Sequence, residues 1–170
     1  MDEGKVILIR MRDCDFDDKT SKDVVTTFFI QKIWLATKIR GTNSNYPNRV
    51  TVVIDEIFQT PTTQKILQDT FLQSAKFGLK YMFTLHNLEG LSKEALASLK
   101  GANATYTLIS GVDKKAFYEL EQEFSVHGYC VDDLSNLKQY TALHLIKSND
   151  GYKALITKLP PELKNNEKVS

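Results

Sequence analysis

Apolar residues along this chain fall in short runs that alternate with stretches of helical period. Val50 to Glu56 reads V-T-V-V-I-D-E, a β-branched run that ends abruptly in two carboxylates. A short apolar run with no helical period predicts a strand covered on both faces, as in parallel sheets. Lys5 to Ile9 (K-V-I-L-I) predicts a second buried strand. Between them, Ser21 to Arg40 predicts a long helix. Thr20 or Ser21 is placed to cap it, and Asp23 lies in the first turn, where an acid suits the dipole. Val24, Val25, Phe28, Phe29, Ile33, Leu35 and Ala36 form its apolar stripe, with Trp34 beside it in the core. Lys38 and Arg40 occupy the last turn, and Gly41 is a ready C′ residue.

The alternation continues. Gly41 to Arg49 is a loop by composition. Thr60-Pro61 marks a helix start, threonine as N-cap and proline at the first position. Ile66, Leu67, Thr70, Phe71 and Ser74 give that helix its face, and Lys76-Phe77-Gly78 closes it. Leu79 to Leu85 predicts the next strand. Ser92 caps a short helix through Lys100, and Ala104 to Ile109 predicts another strand. Asp113 caps a helix with Phe117, Leu120 and Phe124 on one face, and a helical turn near Asp132 to Leu137 follows. Leu143 to Lys147 and Tyr152 to Thr157 then predict a hairpin across Asp150-Gly151. Pro160-Pro161 ends the ordered pattern, and 160–170 reads as a disordered polar tail. Strand-helix alternation argues an α/β fold with a largely parallel sheet, closed by an antiparallel hairpin.

Composition narrows this picture without redirecting it. At 170 residues the chain suits one domain with a real core, 1–159. A formal net charge of +1 gives no global field toward nucleic acid or membrane. Cys14 and Cys130 lie far apart in no C-x-x-C arrangement, which reads as two reduced thiols. No apolar run approaches the ~20 residues of a membrane span.

Candidate chemistry collects at strand ends, where open α/β sheets bind ligands. Asp55 and Glu56 stand at one such end. The next strand ends in polar residues, Thr84, His86 and Asn87. Asp13 and Asp15, in the loop after the first run, could face Asp55; otherwise that loop is a solvated acidic one. Gln59 could orient water or contact a neighbouring subunit; otherwise it is a solvated loop residue. His86 could act at the site, or be a strand-end histidine satisfied by a backbone carbonyl.

The order of segments adds a resemblance. K-V-I-L-I-R, a helix ending W-L-A-T-K-I-R-G, then V-V-I-D-E-I-F-Q-T-P, then A-K-F-G-L-K and Y-M-F-T-L-H-N-L resembles the C-terminal half of the RecA-like motor domain of HerA/FtsK-type DNA-translocating ATPases. Within these it is most similar to conjugative coupling proteins and type IV secretion ATPases, over roughly residues 4 to 125. The resemblance implies that Asp55 is the Walker B aspartate that holds Mg²⁺ with ATP, and Glu56 the catalytic glutamate. It places His86 at the sensor position, where the family commonly has glutamine. Asn87 beside it, and Arg40 as a subunit-interface arginine, would contact nucleotide. The resemblance implies a hexameric full-length protein, with DNA or membrane secretion machinery as partner. It also implies a cytoplasmic location at the inner face of the cell membrane.

Nothing in the chain matches G-x-x-x-x-G-K-[ST], so no phosphate-cradling loop is present in these residues. The expected fold is therefore a P-loop NTPase core lacking the Walker A strand and helix. By itself it is expected to be inactive and to bind nucleotide weakly. Its unpaired strand edges are expected to lower its stability or make it self-associate. Two other readings remain. Asp13, Asp15, Asp55 and Glu56 could converge as the Mg²⁺ site of a nuclease or phosphatase, or the domain could be a non-catalytic assembly module.

Overall fold

The computed structural model describes residues 4–42, 49–86, 88–109 and 115–161. The chain divides into two compact units, Met1–Ala102 and Asn103–Ser170.

The first unit holds helix α1 (Lys19–Gly41), strand β1 (Val50–Ile54), helix α2 (Pro61–Ser74), strand β2 (Leu79–Phe83) and helix α3 (Lys93–Gly101). Helix α1 starts earlier than the sequence predicts. Asp18 is its cap, accepting a 2.6 Å bond from the Ser21 N–H. The reason is backbone conformation. Asp18 is extended, as an N-cap must be, whereas Thr20 and Ser21 already lie within the helix. Gly41 is the last helical residue and not the C′ position. Its missing side chain is used instead by Phe77, whose ring fills the space a Cβ would need. Trp34 stacks edge-on against the same ring at 5.5 Å.

Strands β1 and β2 pair in parallel, from Val50 opposite Leu79 to Ile54 opposite Phe83. Their alternate residues Val52, Ile54, Tyr81 and Phe83 pack against Ile30, Ile57 and Leu67. Phe71 lies across Tyr81 and Phe83 with ring centroids 5.9 and 5.4 Å away. The other face is open: Val53 is 62% exposed. The expectation that β1 is covered on both faces is thus corrected. Alternation of buried and exposed residues is the signature of a strand packed on one side.

Two further expectations fail in this unit. Residues 5–9 form no strand, and Val6 is 97% exposed. An apolar run becomes a strand only where a neighbour completes its ladder, and no described strand pairs with it. The stripe Val24, Phe28 and Leu35 of α1 faces outward. The inward face is Asp23, Thr26, Ile30, Thr37 and Arg40. Its polar groups are satisfied locally: Asp23 accepts from the N-terminus of α2, and the Thr26 and Thr37 hydroxyls donate to the Lys22 and Ile33 carbonyls of α1 itself.

The second unit holds strand β3 (Tyr106–Ile109), helices α4 (Lys115–Tyr118), α5 (Glu121–Ser125) and α6 (Val131–Ser135), and strands β4 (Thr141–Ser148) and β5 (Gly151–Lys158). The strands form one antiparallel sheet in the order β3-β4-β5. The expected hairpin is present, extended by β3. Ser148 pairs with Gly151, so Asn149 and Asp150 form the turn. Gly151 supplies the positive φ of 111° that follows it. His144 ties all three strands: Nδ1 lies 3.1 Å from Thr107 Oγ1 and Nε2 2.7 Å from Thr157 Oγ1. Phe117, Leu120 and Phe124 are buried as predicted, but Phe117 lies on α4, Phe124 on α5 and Leu120 in the turn between them, in place of one continuous helix. The predicted cap Asp113, most of the 41–49 loop and most of the 160–170 tail lie outside the described residues.

Candidate functional site

The register of β1 and β2 decides what meets at the strand ends. Because Ile54 lies opposite Phe83, the residues just beyond, Asp55-Glu56 and Thr84-Leu85-His86, leave the sheet side by side. The Thr84 N–H continues the ladder to the Ile54 carbonyl at 3.2 Å. The Thr84 hydroxyl donates to Asp55 Oδ1 and accepts from the Glu56 backbone N–H at 3.2 Å. One hydroxyl therefore fixes both acidic residues.

Glu56 sits at φ 52°, ψ 51°, the left-handed region that non-glycine residues rarely occupy. Such conformations cost on the order of 1–3 kcal/mol and persist only where the surroundings enforce them. Here the Thr84 bond enforces it from one side, and the tight turn Ile57–Gln59 from the other, through a 3.0 Å bond from the Gln59 N–H to the Glu56 carbonyl. The turn aims the carboxylate at His86, whose Nε2 is 3.0 Å from Glu56 Oε1. A carboxylate only accepts, so Nε2 carries the hydrogen. The imidazole is 77% exposed and lies against the Phe58 ring.

The second carboxylate oxygen, Oε2, accepts from Gln59 Nε2. Gln59 Oε1 accepts from Lys22 Nζ at 2.6 Å, and Lys22 also donates to Asp13 Oδ1 at 2.7 Å. Sequence reasoning left Gln59 between a water-orienting or subunit-contacting role and a solvated loop residue, and gave Lys22 no part. The structure puts both in a chain, Asp13–Lys22–Gln59–Glu56–His86. The lysine hydrogen bond holds the Asp13 carboxyl below its ordinary pKa. Lys22 directly follows Ser21 in α1 and lies 37 residues before Gln59, so no spacing signal could have found it.

Other predicted residues are elsewhere. Asp15 is held by Arg12, with Arg12 Nη2 2.7 Å from Asp15 Oδ1. Asp13 reaches Glu56 only through Lys22 and Gln59. Among the described residues, no group of three or more His, Cys, Asp or Glu side chains is close enough to share a metal ion. The convergent four-carboxylate site is therefore not formed. Arg40 is 7% exposed on the inward face of α1, roughly 27 Å along the helix from Lys22 at ~1.5 Å per residue. Asn87 lies outside the described residues. Cys14 and Cys130 are both free. No described helix is long and apolar enough to cross a membrane.

Asp55 offers what a magnesium ion takes: an exposed hard oxygen donor at a strand end, with one oxygen oriented by a hydroxyl. Mg²⁺ commonly uses one or two protein carboxylates and fills its shell with water and phosphate. The residues present fit that ion with nucleotide, in contrast to an all-protein metal cage.

No protein-family model and no curated protein matches the chain. Solved structures do. The bacterial conjugative coupling protein TrwBdeltaN70, in its unbound monoclinic form, superposes with a TM-score of 0.60 at 17% identity, over 79% of this chain and 37% of its own. The plasmid coupling protein TrwB in complex with the non-hydrolysable GTP analogue GDPNP gives 0.56 at 18% identity, over 72% and 34%. The chain thus spans little more than a third of the neighbours it matches. At these identities the likeness is one of fold, and it agrees with the resemblance read from the order of segments: the chain has the mixed α/β fold of part of a conjugative coupling protein.

Proposed function

We propose that this chain is the carboxylate-and-sensor portion of an ATP-driven motor that translocates DNA or secretion cargo. The observation that carries the reading is the arrangement at the strand ends: Asp55 and Glu56 fixed by Thr84, with His86 donating to Glu56. A strained backbone at a carboxylate that meets a histidine from the adjacent strand is characteristic of functional sites.

Each residue takes a distinct part. Asp55 would hold Mg²⁺, which would supply charge neutralisation on the nucleotide phosphates. Glu56 accepts the proton of the attacking water. Its carboxylate is oriented before substrate arrives, because Oε2 is held by Gln59 and Oε1 by His86. His86 places a hydrogen-bond donor beside that carboxylate, at the position the resemblance gives to the phosphate sensor. These residues hold no G-x-x-x-x-G-K-[ST], so the phosphate cradle belongs to another segment of the motor. The chain alone binds Mg-ATP weakly, and the full-length protein works as an oligomer, with DNA or membrane secretion machinery as partner. The coupling protein that binds a GTP analogue has the same partial fold, which supports nucleotide use here.

The test is to read the gene in frame upstream of residue 1. The proposal expects a strand followed by G-x-x-x-x-G-K-[ST] within a few hundred codons. A reading frame without that motif overturns it.

A further inference from the structure

Lys22 is the part of this arrangement that neither the motif nor the fold accounts for. Its side chain is 16% exposed, well covered for a lysine, and it sits in the first turns of α1, far in sequence from the strand ends. An ammonium has donors and no acceptor. Its two partners are both acceptors, Asp13 Oδ1 at 2.7 Å and Gln59 Oε1 at 2.6 Å. That contact dictates which end of the Gln59 amide faces it. The oxygen must point to Lys22, so the NH₂ group points away, and there it meets Glu56 Oε2. Reversing the amide would set nitrogen against ammonium and oxygen against carboxylate, repulsive at both ends.

We propose that Lys22 is a positioning residue for Glu56: through the Gln59 amide it holds the carboxylate in the orientation the site requires. The proposal rests on the reading of Glu56 as the proton acceptor. Asp13 adds to the device. It is 81% exposed and accepts from the ammonium on the solvent side, a weak restraint on Lys22. Helix α1 is thereby coupled to the turn after β1. A shift of the start of α1 by an ångström or two would release Gln59, and with it one of the two bonds on Glu56. Misplacing a catalytic group by about 1 Å is costly, which gives the coupling a consequence for rate.

The first experiment uses this chain and needs no nucleotide. The Gln59 side-chain NH₂ protons are followed by NMR for solvent exchange and for proximity to Glu56. In Lys22→Met, the Gln59 protons are expected to exchange about fivefold faster, the equivalent of one lost hydrogen bond of ~1 kcal/mol, and to lose their contact with Glu56. Lys22→Arg, which keeps the charge, is expected to leave them within twofold of the parent, and Asp13→Ala, which removes the exposed acceptor, to move them slightly in the Met direction. Unchanged Gln59 protons in Lys22→Met overturn the proposal. Should that variant not fold, Gln59→Glu decides: it sets a carboxylate against Glu56 Oε2, and an unchanged Glu56 side-chain environment there overturns the proposal equally.

The second experiment uses the full-length protein. Lys22→Met is expected to lower kcat about tenfold with KM for nucleotide unchanged, and Lys22→Arg to restore it. If Glu56→Gln abolishes hydrolysis and Lys22→Met does not alter it, the positioning role fails and the motor reading stands. If the NMR result holds and Glu56→Gln hydrolyses normally, the positioning geometry stands and the motor reading fails.

Discussion

Asp23 of α1 accepts the backbone N–H of Thr62, 39 residues later in the chain, at 2.9 Å. The same carboxylate accepts from the Thr63 N–H at 3.2 Å. These are orphan donors at the start of α2, where Pro61 has no N–H to satisfy. Thr60 sits at the expected N-cap, yet its hydroxyl donates to the Ile57 carbonyl and caps nothing. A carboxylate on one helix therefore serves as the N-cap of the next. Removing it strands two N–H groups at a position where Asp23 is 5% exposed. Asp23→Ala should cost about 2 kcal/mol in urea denaturation, and Thr60→Ala less than half of that. Equal losses for the two would contradict the assignment.

The left-handed Glu56 predicts a trade between stability and chemistry. Glycine tolerates that conformation without a Cβ clash. Glu56→Gly should therefore raise the melting midpoint of this chain, by up to about 1 kcal/mol of stability, although it deletes the carboxylate. Glu56→Gln keeps the strain and should give no gain. Thr84→Val removes the hydroxyl that serves both acidic residues and should cost about 1–2 kcal/mol. A Glu56→Gly variant less stable than the parent would show that the turn is not strained.

Acid should weaken the start of α1. Asp13, Asp15 and Asp18 all have folded pKa values below the ordinary 3.8, through Lys22, Arg12 and the Ser21 N–H respectively. A depressed folded pKa means that the unfolded chain binds protons first as pH falls. The contribution is fully present above the unfolded value near 3.8 and is lost as pH drops through the folded ones. Thermal midpoints should be flat from about pH 7 to 5 and fall below about pH 4. Asp18→Asn should flatten part of that fall. A midpoint that keeps rising below pH 4 would contradict these pairings.

Much of the fold was legible because periodicity reports local structure. The runs at Val50 and Leu79 gave β1 and β2, and the polar residues after them marked Glu56 and His86 as strand-end candidates; that the two meet follows from the parallel register, which only the structure shows. Which face of a helix is covered was not legible. The apolar stripe of Val24, Phe28 and Leu35 established a helix, but the inward side includes Asp23, whose partners Thr62 and Thr63 lie at the start of α2. Spacing also could not reveal Lys22 with Gln59 or Asp23 with Thr62. Such pairs form only once two helices pack, and nothing in the local sequence of either residue encodes the other. Residues 5–9 failed for the opposite reason: the local signal was strong, but a strand needs a neighbour that the described residues do not supply.

The most direct test of the motor reading is ATP hydrolysis by the full-length gene product beside its Glu56→Gln variant. Glutamine preserves the shape and the left-handed turn but cannot take the proton from water. The account predicts a fall in kcat of about 10²-fold or more, in the range that general-base groups contribute, with nucleotide binding retained. A Glu56→Gln protein that hydrolyses ATP at the parent rate would contradict it.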